Sequence, residues 1–175
     1  MQVRVMEGQD FDYAVKLTDM AEWDFTARDF AWMKSLEPDG CFIALVDSRR
    51  AGLATTASYG DLGWMGNVIV DPRCRAQGVG SELVQAAIEY LRGRGAKRIG
   101  LYSYMETAPF YERLGFTGDI KFIRLSADIG EVRRVELPRM TPEHLPEAAA
   151  LDEACFGARR DRLLQAIYRD ESNRS

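Results

Sequence analysis

The stretch Val68-Ile69-Val70-Asp71-Pro72-Arg73-Cys74-Arg75-Ala76-Gln77-Gly78-Val79-Gly80-Ser81 carries an apolar strand pattern through a basic, glycine-bearing turn and straight into a helical pattern. Such a turn is built to hold an anion. The first turn of a helix has peptide N–H groups with no carbonyl of its own to satisfy them, and its macrodipole adds about half a positive charge there. A phosphate meets both needs. Gly78 and Gly80 leave the backbone open to a phosphate oxygen, and Arg73 and Arg75 set guanidinium groups at the rim of the same turn.

Two familiar phosphate loops are excluded by the residues themselves. A Walker loop needs G-x-x-x-x-G-K-[S/T], and no lysine follows these glycines; a dinucleotide fingerprint needs a third glycine where Leu83 stands. The arrangement Arg75-x-x-Gly78-x-Gly80 after a strand resembles the acyl-CoA pyrophosphate loop of the GNAT superfamily of N-acetyltransferases, Q/R-x-x-G-x-G/A. About thirty residues on, Thr107-Ala108-Pro109-Phe110-Tyr111-Glu112-Arg113-Leu114-Gly115-Phe116 is similar to that family's A-x-x-x-Y-x-x-x-G-F segment, with Thr107 in place of alanine and Tyr104 where asparagine is common.

The resemblance implies acetyl-CoA as cosubstrate, no metal, and an α/β GNAT fold: a mixed central sheet splayed between its fourth and fifth strands and flanked by helices. It implies that backbone groups of Val68, Ile69 and Val70 hold the pantetheine arm, that Gln77, Gly78, Val79, Gly80 and Ser81 donate to the phosphates, and that Arg73 and Arg75 are their charged partners. It also implies that Tyr111 is the general acid. A phenol with a pKa near 10 is protonated at neutral pH and can protonate a departing thiolate. The base stays open among Glu22, Asp24 and Asp61, with the backbone carbonyl near Met65 or Gly66 as an alternative way to orient the amine. Trp23, Phe25, Trp32, Tyr59 and Trp64 are candidates for an aromatic acceptor pocket.

These residues need elements to position them. Alternation at Val3 and Val5 predicts a first strand, and Asp10 opens a helix with Phe11, Ala14, Val15 and Leu17 on one side. A second helix follows Thr26 and stops at Pro38-Asp39-Gly40. Cys41 to Val46 reads as a strand, Asp47-Ser48-Arg49-Arg50 as a turn and Ala51 to Ser58 as the returning strand. A turn around Gly60 to Gly63 then delivers the strand Trp64 to Val70. Beyond the cradle come a helix from Gly78 to Arg92, a strand from Arg98 to Tyr102, a short helix from Thr107 to Leu114, and a strand from Phe116 to Leu125.

The resemblance covers residues 1–126. Residues 127–175 form an extension in which Val132 to Leu137 reads as a strand and two apolar helical stripes follow Thr141-Pro142. Slid back by 134 positions, Met140 falls on Met6, Ala148 on Ala14, Leu151 on Leu17, Leu164 on Phe30 and Ile167 on Met33. This pattern resembles the opening of a second GNAT module. The alternative is that Val132 to Leu137 completes the first sheet and the helices cover its edge.

The chain has 175 residues, 46% of them hydrophobic and 29% charged, which suits a stable globular domain. Its formal charge of −4 argues against a general nucleic-acid binder. No apolar stretch approaches the ~20 residues of a membrane span, and a cytoplasmic location is expected. Cys41, Cys74 and Cys155 lack metal-ligand or disulfide spacing; Cys41 and Cys155 read as core residues and Cys74 as a loop residue. The expected partner is a small-molecule or peptide amine. A non-catalytic acyl-CoA sensor is the alternative, and an inactive fragment of a two-module protein would expose Leu163, Leu164, Ile167 and Tyr168 as a possible homodimer contact.

Overall fold

The computed structural model describes residues 1–121 and 138–170. Its centre is a five-stranded sheet in chain order: β1 (Gln2–Val5), β2 (Cys41–Val46), β3 (Arg49–Tyr59), β4 (Leu62–Val70) and β5 (Arg98–Leu101). The first four strands pair antiparallel, and β4 and β5 pair parallel. A parallel neighbour requires a long crossover, and α3 (Val79–Gly93) provides it. α1 (Phe11–Asp19) and α2 (Ala27–Leu36) occupy the connection from β1 to β2.

Each helix layer buries its own stripe. On one face Val79, Leu83, Val84 and Ala87 of α3 pack on Phe42, Ala44, Ala51, Ala54 and Met65. On the other, Ala14 and Leu17 of α1 and Phe30 of α2 pack on Cys41, Ile43, Leu53 and Ile69. Thr26 starts α2 through a capping box with Asp29, whose carboxylate accepts from the Thr26 amide at 2.7 Å. Asp10, with 0% exposure, ties β1 and β3 to the start of α1 by accepting from Arg4 at 2.6 Å and Arg50 at 2.6 Å. Burial alone would raise its pKa; these bonds, with the Glu7 amide, outweigh it and hold the carboxyl well below the usual range.

Two details of the sheet position the site. Leu53 pairs with Ile69 while Thr55 pairs with Gly66, so β4 carries one extra residue, and Asn67 takes a left-handed φ of 50° there. The bulge reverses the side-chain alternation: Met65, Val68 and Val70 all pack on the α3 side, whereas Ile69 packs on the α1 side. The second detail is where pairing stops. β4 and β5 run together from Leu62↔Arg98 to Met65↔Leu101, after which β4 continues alone to Val70. β5 ends at Leu101, so it pairs along its whole length with the amino half of β4, and the carboxyl half of β4 has no strand partner on that edge.

Several boundaries differ from expectation. The β2–β3 turn is only Asp47–Ser48, both at positive φ, because two left-handed residues match the strand twist and let pairing resume at Arg49. No strand forms over 116–121, and the rest of that expected strand, like the one over Val132 to Leu137, lies outside the described residues. Cys155 is exposed on the outer side of its helix instead of buried.

In the extension, a 3-10 turn at Pro142–His144 leads into α5 (Leu145–Phe156) and α6 (Asp161–Arg169). The same succession opens the chain 134 residues earlier, where a 3-10 turn at Gly8–Asp10 precedes α1 and then α2. Both 3-10 turns begin with a capping box. The extension rests on the first unit: Phe156 meets Tyr59 and Trp64 at ring distances of 5.6 and 5.9 Å, Arg28 pairs with Asp170, and Arg162 donates to the Leu36 carbonyl.

Candidate active site

The turn after β4 folds around Asp71. Its buried carboxylate accepts from the Arg73 amide at 2.9 Å and from the Arg73 guanidinium at 3.0 and 2.7 Å. These bonds, the side-chain one foremost, hold the Asp71 carboxyl below the ordinary carboxylate range. Arg73 thus braces the loop on Asp71 while its side chain stays 86% exposed. Arg75, two residues on, is exposed and forms no ion pair among the described residues.

α3 starts on Gly78, whose φ of 83° is a left-handed conformation that glycine adopts without strain, and no side chain caps the helix. The first helical bond runs from the Glu82 amide to the Gly78 carbonyl at 3.1 Å, so the N–H groups of Val79, Gly80 and Ser81 have no intrahelical acceptor. Gly80 answers a packing need: a Cβ there would stand 3.3 Å from the Phe110 ring and 3.5 Å from a Val70 methyl. The missing side chain lets α4 (Ala108–Glu112) sit against the start of α3 and the end of β4.

Phe110 thereby brings its neighbour Tyr111 to the packed face of the carboxyl half of β4. Tyr111 packs on Phe110 and Phe116 at ring distances of 4.9 and 5.9 Å, and joins Val68, Val70 and Phe110 around the α3-side core. Burial raises its phenol above the ordinary value of 10.0. Gly115 ends the segment with a φ of 92°. The structure thus gathers Val68, Ile69, Val70, Gln77, Gly78, Val79, Gly80, Ser81 and Tyr111 around the open end of the β4–β5 pair. Arg75 stands at the rim of that group.

Other candidates are not brought together. Asp61 sits in the turn before β4, where its carbonyl accepts from the amides of Lys97 and Arg98. This is the end at which the two strands pair, roughly 20 Å of strand rise from Asn67. Tyr59 lies at the same end beneath Phe156. Phe25 packs on Phe30 at 5.8 Å as part of the α1-side core. Glu22 and Asp24 remain at the open side, flanking Trp23 in the α1–α2 connection. Sequence reasoning missed Tyr104, whose hydroxyl accepts from the Trp23 indole at 3.0 Å. Pairing across 81 residues leaves no local pattern to find it by.

Among the described residues no group of three potential ligands is placed to hold a metal ion, and no helix is long and apolar enough to cross a membrane.

Known proteins share the fold of this chain. An uncharacterized N-acetyltransferase of Methanocaldococcus jannaschii is 30% identical over 118 residues, which are 59% of this chain and 48% of that protein. Glucosamine 6-phosphate N-acetyltransferase of Trypanosoma brucei brucei is 36% identical over 64 residues, 37% of this chain and 44% of that one. The chain thus spans about half the length of the curated relatives it matches. An acetyltransferase structure from Pyrococcus horikoshii superposes with a TM-score of 0.72 at 19% identity, covering 96% of this chain and 61% of that chain. A Mycobacterium tuberculosis structure in complex with CoA superposes with a TM-score of 0.59 at 18% identity, covering 84% and 80%. The family model described as the acetyltransferase (GNAT) family matches residues 4–116, which contain all of the sheet but the first two residues of β1, the α3 loop and Tyr111, and the chain belongs to that family.

Proposed function

We propose that the chain transfers an acetyl group from acetyl-CoA to a primary amine by direct attack, with residues 1–126 as the catalytic module. One observation carries this reading: β4 loses its parallel partner after Met65 and runs on, unpaired on that edge, into a loop that ends at an uncapped helix start. The amides from Gln77 to Ser81 and the Arg75 guanidinium hold the diphosphate, with Asp71 and Arg73 keeping the loop in shape. The free edge of Gly66 to Val70 bonds the pantetheine amides as an added strand would. The CoA complex of the M. tuberculosis neighbour supports the choice of cosubstrate.

Placed this way, the thioester reaches the gap between β4 and β5 from the α3 side, and the amine arrives from the α1–α2 side. The amine nitrogen forms its bond to the acetyl carbon, the carbon–sulfur bond breaks, and the Tyr111 hydroxyl gives its proton to the departing sulfur. A water relay to Glu22 or Asp24 takes the proton lost by the amine. Residues 127–175 are an appended copy of the module's opening, supported by the matched turn, helix and helix at an offset of 134.

The test is release of free thiol from acetyl-CoA by the purified chain with a panel of primary amines. Amine-dependent release is expected. CoA binding without release from any amine would overturn catalysis and favour a sensor.

A further inference from the structure

Building on the acetyltransferase reading of this cleft, we infer that its acceptor is a cationic primary amine on an aromatic or long apolar body, gripped at Trp23 and Tyr104, and not a phosphorylated or sugar amine. The Trp23 indole N–H donates to the Tyr104 hydroxyl at 3.0 Å and so bridges the α1–α2 connection to the β5–α4 connection. The backbone on both sides of Trp23 is left-handed, with φ of 56° at Glu22 and 52° at Asp24. L-residues adopt that conformation at a cost, so surrounding structure must hold the indole where it is.

The bridge stands over an apolar mouth. Trp64 lies so close over β5 that a Cβ at Gly100 would fall 2.5 Å from its ring, and the same indole packs on Tyr102 at 4.8 Å. Met20, Tyr102, Tyr104 and Met105, all large and apolar, stay between 60% and 68% exposed on the two connections that the bridge joins. Water-exposed aromatic and thioether surface at the open side of a cleft suits an apolar body.

Charge points the same way. Glu22 and Asp24 are exposed and form no ion pair among the described residues, so a cation near Trp23 gains two carboxylates and an aromatic face. Among the arginines of α2 and the extension, Arg160 pairs with Asp152 and stacks on Phe156, Arg28 pairs with Asp170, and Arg162 is turned to the Leu36 carbonyl at the far end of α2. Arg98 belongs to the joined end of the strands. A phosphate here would meet carboxylates and rings.

Calorimetric titration of the full chain in the presence of CoA, using phenethylamine and glucosamine 6-phosphate as probes, tests the assignment alongside thiol release. Phenethylamine should bind saturably and about tenfold or more tightly than glucosamine 6-phosphate. Trp23→Ala should weaken phenethylamine about tenfold while CoA affinity stays within about twofold. Tyr104→Ala, at an exposed position outside the core, should act in the same direction and guards against misfolding of the first variant. Equal or tighter binding of glucosamine 6-phosphate, no saturable phenethylamine binding, or indifference to Tyr104→Ala would overturn the acceptor class. Phenethylamine binding with no thiol release would stand against the transferase reading while supporting an amine-binding site at Trp23 and Tyr104.

Discussion

Tyr111 owes its proposed role to two ordinary forces. Ring packing between Phe110 and Phe116 fixes its place, and the same burial favours the neutral phenol. The sign follows from that: a phenol raised above 10.0 remains an acid through neutral pH, and its proton-donating form is lost only as pH rises through the higher folded value. Tyr111→Phe should therefore lower kcat about 10–100-fold while the affinity for acetyl-CoA stays within about twofold. Any fall of the wild-type kcat assignable to this group should have its midpoint above the ordinary phenol value of 10.0. Steady-state kinetics across pH checks both, and an unchanged kcat in the variant would remove the tyrosine from the mechanism. Arg73 and Arg75 show how finely residue roles divide, since one braces Asp71 inside the loop and the other is left open at its rim.

Two helix pairs of related pattern have different fates. In α1, Leu17 is 2% exposed against the sheet, whereas Leu151, 134 positions later on α5, is 67% exposed. Leu17→Glu should cost more than about 3 kcal/mol or prevent folding, because it buries a charge and forfeits the packing of a core leucine. Leu151→Glu should change stability by less than about 0.5 kcal/mol. Urea unfolding of both variants measures the contrast, and a large loss at Leu151 would mean that its face is covered. At this scale the sequence was readable wherever chemistry is local: the Thr26 cap, the strand Cys41–Val46 and the left-handed Gly115 all stand where their residue types demand. It was not readable where pairing across the sheet decides. The extra residue at Asn67, which turns Val68 and Val70 to the α3 side, has no signature in the strand's own composition. Asp61 looked plausible as a base for the same reason, since only the parallel register reveals that it lies at the joined end.

Across the whole molecule, the end of β5 at Leu101 leaves the edge of β4 from Gly66 to Val70 without a strand partner, and the proposed function gives that gap two entrances. The α3 side presents backbone donors and Arg75, which suit an anionic cosubstrate. The α1–α2 side presents Trp23, Tyr104, Glu22 and Asp24, which suit a cation on an apolar body. In the proposed function, opposed charge at the two mouths would let both substrates bind together without competing, and the sheet would hold their reacting ends in line. The extension covers Tyr59 and Trp64, so it borders the proposed acceptor side and not the loop. Amide hydrogen exchange with and without CoA tests the central claim most directly. CoA should slow exchange at Gly66 to Val70 and at Gln77 to Ser81 together, and protection that spares both segments or falls on α5 and α6 instead would contradict it.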